Sequence, residues 1–399
     1  MNKESMLYKP RSLEVGGRIG LVNPAGEMNQ QYAETTVPRV IRYLEGRGFR
    51  VPERKKRENL LGRIQDPNIL RDYIDPYTSE ESDIRFNLWT QRRSFLARSN
   101  VSSKERAQLF NEAVMNCDAI FPLVGNRFGT DVINHIDYER FKQHKPIFVT
   151  FSAASAFLMH LHLKTNTVVF YGPHIHFLAG YENSYTVHSF WNFLKQENHG
   201  VDINDGTVEK YVYRKEENSP SVLKNIYSAT ENMQMPLSEK IPFLSLRADQ
   251  SPSSVTGKLM PIFLFSLQEA LTQNDSINFD PEGMILMVEA DERSYDDCFA
   301  ALQSVHQRTD LSKLSALVLA SFIAYKSEST SLGNELVDAN NVKKFVLRVR
   351  ELLKDNVPVI YGFPMGHSKY KLTIPMGIQA ELNIETGDIT LKESPFSNI

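Results

Sequence analysis

The stretch Ile147-Phe-Val-Thr-Phe-Ser152-Ala-Ala-Ser155-Ala-Phe157 decides the reading of the chain. Its first half is a short apolar and β-branched run, continuous with Pro146 to Phe151, of the kind a buried strand requires. At Ser152 the residues turn small, and Ala153 to Leu163 has the makeup of a helix. A strand that hands over to a helix at one small residue is the repeating unit of an α/β layer. The same geometry exposes the Ser152 hydroxyl on a sharp turn, beside the first amides and the positive dipole end of the helix. Two readings of Ser152 follow: an ordinary helix N-cap, or the nucleophile of an elbow.

The alternation continues on both sides. Arg18 to Val22 reads as a strand closed by Asn23-Pro24-Ala25-Gly26. Val37, Val40, Ile41 and Leu44 have helical spacing, which predicts a helix over Tyr32 to Arg47, stopped by Gly48. Ser102-Ser103-Lys104-Glu105 is a capping box opening a helix to Asn116. Ala119 to Val124 and Val168 to Tyr171 are strands, and Thr130 to His135 a short helix. A second series has strands at Met284–Val288, Ala316–Ser321 and Val357–Tyr361, with helices Tyr295–His306 and Val342–Lys354 between them, and a hairpin over Ile378–Lys392. Between the series lie a helix near Val187–Gln196, a strand pair about Val208–Tyr213, and a connection at Ser251-Pro252-Ser253-Ser254. Asn59 to Asn100 reads as an irregular excursion.

The chain has 399 residues, more than the roughly 250–300 at which one core stops growing. The expected organisation is an N-terminal α/β domain with a mainly parallel sheet (residues 1–185), a connecting region (186–255) and a C-terminal β/α domain (256–399). A net charge of -3 argues against nucleic acid or an anionic membrane as the main partner. The basic run Arg54-Lys55-Lys56-Arg57 is flanked by Glu53 and Glu58 and reads as a solvated segment. No stretch of about 18 apolar residues and no apolar leader region occurs, and Cys117 and Cys298 make no disulfide framework. These features together predict a cytoplasmic protein.

Two further strand ends carry chemistry. Met284-Ile-Leu-Met-Val288-Glu289 delivers a carboxylate after five apolar residues, and such an acid needs a partner. Asp291 and Glu292 are rivals for its role. Tyr361-Gly-Phe-Pro-Met-Gly366-His367 places a histidine just past a strand, and histidine suits general-base work near neutrality. Ser, Glu and His each follow a predicted strand, as the three roles of a hydrolytic triad require. Val124-Gly125-Asn126-Arg127-Phe128-Gly129 is a loop at another such end, where backbone amides can approach a ligand. His160 and His162 do not share a helical face. His174 and His176 would share one if extended, but bring no carboxylate or thiol ligand. No metal and no cofactor are expected.

At these residues the chain resembles the LD-carboxypeptidases, serine peptidases that include the microcin C immunity proteins. The resemblance runs from Leu13-Glu14-Val15-Gly16-Gly17-Arg18-Ile19 through Ser103–Ala107, Ile136-Asp137-Tyr138, Phe148–Ser155 and Tyr171-Gly172-Pro173 to Gly366-His367 and Leu372–Gly377. It implies Ser152 as nucleophile, His367 as base, Glu289 as the group orienting that base, and an oxyanion hole from the Gly125-Asn126 region and Ala153. It further implies a swivelling C-terminal domain, an active site between the two domains, and a homodimer. Arg127 and Ser155 are candidate substrate-binding residues. The chain departs from the family where Thr150-Phe151 replaces Gly-Tyr, Ala153 replaces an aspartate, and Asn126 replaces a glycine. The implied substrate is a muropeptide, cut before its terminal D-alanine. The alternatives are a peptidyl or aminoacyl nucleotide, as in the immunity branch, and a non-catalytic relative that binds without cleaving.

Overall fold

The computed structural model describes the chain from Met6, except residues 27–29, 53–101, 127, 181, 197–200, 203–208, 211–212, 215–220, 228–242, 248–251, 274–276, 292, 321, 323–337, 354–356 and 398–399. The basic run at 54–57, the 59–100 excursion and Arg127 lie outside the described residues.

In chain order the strands of the first half are β1 (Ile19–Val22), β2 (Ala119–Pro122), β3 (Ile147–Thr150), β4 (Val169–Tyr171), β5 (Val201–Asp202) and β6 (Glu209–Lys210). They continue with β7 (Tyr213–Arg214), β8 (Val222–Leu223), β9 (Leu244–Leu246), β10 (Ser254–Phe263) and β11 (Met284–Glu289). The last are β12 (Ala316–Leu319), β13 (Val359–Tyr361), β14 (Ile374–Met376), β15 (Gln379–Asn383) and β16 (Ile389–Leu391).

The first sheet runs β1-β2-β3-β4-β14. Its first four strands pair in parallel and are buried along their whole length, which is why they read as unbroken apolar runs rather than alternating ones. Phe148 of β3 and Phe157 of the following helix meet Phe110 of the Ser103–Asn116 helix edge-on, with centroids 5.4 and 5.1 Å away. The serine half of the capping box is made: Ser102 Oγ accepts the Glu105 N–H at 3.2 Å. The expected helix over Thr130–His135 shrinks to a 3-10 turn at Ile133–His135. The helical residues fall later, at Tyr138–His144, started by Asp137 accepting from the Arg140 N–H.

The second sheet has nine strands, ordered β7-β8-β16-β15-β10-β11-β12-β13-β9. Its centre, β10 to β13, is parallel, and antiparallel strands complete both sides. Three findings depart from the sequence reading. The central strand β10 and the Leu264–Gln273 helix after it were not expected. Residues 186–255 are more than a connection, since β7, β8 and β9 belong to the second sheet. Finally, β14 returns from the C-terminal part of the chain to pair antiparallel with β4, so the last third of the chain enters both sheets. Among the described residues no helix is long and apolar enough to cross a membrane.

Candidate active site

Ser152 follows β3 with φ of 62°. A non-glycine residue held in the left-handed region costs roughly 1–3 kcal/mol and persists only where its surroundings enforce it. The N-cap reading fails on this geometry. The cap of the 3-10 turn Ser152–Ala154 is Phe151, that of the Ser155–Thr165 helix is Ala154, and neither has a side-chain capping bond. Hydrogen bonds from both sides hold the turn instead. The Ser152 N–H donates to Tyr171 Oη at 3.3 Å, and the Ala154 N–H to the Gly125 carbonyl at 3.3 Å. From the second sheet's side, Ser266 Oγ donates to the Ala153 carbonyl at 2.9 Å, and the Phe263 N–H donates to Ser155 Oγ at 3.1 Å.

Glu289 ends β11 and is fully buried. His367 Nδ1 lies 3.1 and 3.0 Å from its two carboxylate oxygens, and Tyr171 Oη donates to Oε1. A carboxylate only accepts, so Nδ1 carries the proton and Nε2 is left as the basic nitrogen. Gly366 makes this approach possible: its φ is 68°, and a Cβ there would run into the Glu289 carboxylate. Nε2 lies 3.6 Å from Asp291 Oδ2. Burial disfavours the charged imidazole, but Glu289 and Asp291 outweigh burial and the opposing Lys371, so His367 titrates above its ordinary value. The Phe151 ring packs against the imidazole at a centroid distance of 4.9 Å, bringing His367 beside the residue that precedes Ser152. Among the described residues no hydrogen bond joins the Ser152 hydroxyl to His367.

The Gly125 loop leans on this turn through Ala154 and on His174, whose Cε1 would lie 2.7 Å from a Cβ at position 125. Burial holds the His174 imidazole well below its usual range, and its Nε2 meets Thr150 Oγ1 at 2.9 Å. Asn126 is exposed and does not adopt positive φ; in this loop that conformation falls at Gly129 instead. Arg106, buried and ion-paired with Asp131, donates Nε to the Pro24 carbonyl at 3.2 Å. It thereby supports the turn at residues 23–26, which packs on Val124 and Asn126. Ser155 is fully buried with its hydroxyl bound to the Phe263 amide, which places it in the seam between the sheets rather than on an open surface. Among the described residues no three His, Cys, Asp or Glu side chains gather as a metal site.

Sequence reading missed Tyr171 and Ser266 as parts of this arrangement, while for His174 it expects only a pocket-lining or packing role. Tyr171 stood as the end of a strand and as part of the Tyr171-Gly172-Pro173 segment of the resemblance, with no role at the site. A tyrosine closing a parallel strand directly before Gly172-Pro173 is the one available signal.

The chain matches the model of the LD-carboxypeptidase N-terminal domain over residues 62–172 and that of the C-terminal domain over residues 257–382. It is 24% identical over 304 residues to the microcin C7 self-immunity protein MccF of Escherichia coli, covering 74% of this chain and 80% of that protein. Among solved structures it is similar to an MccF-like protein from Bacillus anthracis, with a TM-score of 0.64 at 17% identity over 97% of this chain and 99% of the other. It is also similar to a muramoyltetrapeptide carboxypeptidase from Oxalobacter formigenes, with a TM-score of 0.55 at 20% identity over 94% and 97%. With both domain models matched in order across more than half of its length, the chain belongs to the LD-carboxypeptidase family.

Proposed function

We propose that this protein is a serine hydrolase that cleaves the amide bond before the last residue of a small peptide. Ser152 Oγ attacks the carbonyl while His367 Nε2 takes its proton, and Glu289 stabilises the imidazolium that forms. The amides of Ala153 and the Gly125-Asn126 turn are the candidate donors to the oxyanion. His367 returns the proton to the leaving amine, and water then resolves the acyl-enzyme with His367 again as base. The observation that carries this reading is the pairing of a strained, non-capping serine with a histidine whose Nδ1 is held by a buried carboxylate. In the attacking geometry the Ser152 side chain turns towards Nε2, which exchanges Asp291 for the hydroxyl. Such contacts commonly tighten only with substrate bound.

A muropeptide ending in D-alanine is the first substrate class. An aminoacyl nucleotide is the second, supported by the likeness to MccF, whose solved structures include complexes with glutamyl sulfamoyl guanosine and aspartyl sulfamoyl adenosine. The test begins with a fluorophosphonate probe and mass spectrometry of the labelled peptide. The probe is expected on Ser152 in the wild type and absent from Ser152→Ala. Both substrates are then assayed side by side, and Ser152→Ala is expected to lower turnover by on the order of a thousandfold or more. No labelling and no turnover of either substrate would leave the non-catalytic reading standing.

A further inference from the structure

The Tyr171 hydroxyl accepts a hydrogen bond from the backbone N–H of the strained Ser152 and donates one to the same carboxylate that holds His367. Tyr171 lies on the first sheet, and Glu289 and His367 come from the second half of the chain. We propose that Tyr171 is a positioning residue of the site, a relay that fixes the nucleophile's backbone and the base's carboxylate through one hydroxyl. The proposal rests on the triad reading and adds a fourth member to it.

Two physical consequences follow. First, the Ser152 N–H lies in a turn where the usual helical acceptors are absent, and a buried amide without a partner is costly. Tyr171 satisfies it, which helps to hold φ at 62°. Second, a carboxylate shared between two donors offers each of them less charge than it would offer one. With Tyr171 donating, Glu289 orients His367 without raising its basicity as far as an undivided carboxylate would. Burial and the Glu289 charge hold the Tyr171 phenol well above its ordinary range, so it remains a donor throughout the working pH range. The charged and titratable groups bearing on His367 are Glu289, Asp291 and Lys371, with His174 beneath the Phe151 ring. Lys371 is itself paired with Glu182 at 2.8 Å, so its effect on His367 is constant across the variants below.

The experiment measures two properties of the full chain: the imidazole titration of His367 by NMR with labelled histidine, and the rate of Ser152 labelling by a fluorophosphonate. In Tyr171→Phe the His367 titration is expected to move up, and labelling at neutral pH to fall about tenfold, the loss of one hydrogen bond to a charged group. Replacing Tyr171 with 2,3-difluorotyrosine keeps its shape and strengthens the donor, so the titration should move down. That variant also decides the matter if the phenylalanine variant does not fold. In a Glu289→Gln background, Tyr171→Phe should no longer move the His367 titration. A His367 titration that stays in place in both Tyr171 variants overturns the relay. Failure of the wild type to label would instead overturn the nucleophile reading, while the His367 titration would still decide this one.

Discussion

Gly366 shows how much a single position carries. The residue before His367 needs positive φ and leaves no room for a Cβ on the Glu289 side. Gly366→Ala therefore has to strain its backbone, push the carboxylate aside, or both. The expected outcome is a loss of roughly 1–3 kcal/mol in stability and a fall of about tenfold or more in Ser152 labelling. A denaturation curve and a labelling rate both matching the wild type would show that the loop accommodates the methyl group. Gly-His was legible in the sequence as a motif. Its reason was not, because the atom that forbids a side chain at 366 belongs to residue 289.

Among elements, the turn after β3 is the informative one. Its strand, serine and helix were readable from residues 147 to 157, because burial of β3 on both faces dictates an unbroken apolar run. Its hold on the second sheet was not. Ser155 looked like a polar residue near a substrate, yet it accepts the Phe263 N–H where β10 ends. Ser155→Ala leaves that buried amide without its acceptor, at a cost of about 1–3 kcal/mol. The expected result is a lower midpoint in chemical denaturation and slower labelling of Ser152 with the same labelled peptide. An unchanged midpoint would mean that the seam does not depend on this bond. The strand β10 carries Pro261, a residue that argues against a central strand. The structure reconciles the two: the antiparallel ladder with β15 covers only Ser254 to Lys258, so the missing N–H at 261 falls beyond it.

For the whole molecule, two sheets share one site. Ser152 and Tyr171 come from the first, Glu289 and His367 from the second, and β14 stitches the C-terminal part back onto the first. Burial of this kind sets the pH response. His160 and His176 are pushed down to about 4 by burial, and His162 and His174 are lowered from the same cause. Unfolding restores their ordinary affinity for protons, so the unfolded state binds more protons below the ordinary imidazole value of 6.5. Stability should therefore fall on acidification from that value towards 4, by up to roughly 1.4 kcal/mol per pH unit for each such group. His367 has the opposite sign: its raised value stabilises the fold at acid pH, and that contribution fades as pH rises through the folded-state value. Four depressed groups outweigh one raised group, so the net acid limb is a loss of stability. Labelling of Ser152 should instead rise with pH through a value above 6.5, since the base must be neutral. Chemical denaturation and labelling across pH 4 to 8 check both, and stability that increases steadily down to about pH 4 would refute the burial argument.

The sequence by itself determined the α/β alternation, the three residues at strand ends, and the glycine beside the base. Each of these follows from local composition, because an apolar run, a cap or a glycine constrains only its own few residues. Tertiary structure alone decided that Ser152 is strained rather than capping, that Ser155 belongs to the seam, that β14 crosses between sheets, and that Tyr171 meets Glu289 across 118 positions of chain. Those facts depend on how two sheets pack against each other, and that packing is set by contacts between distant residues which no local pattern encodes.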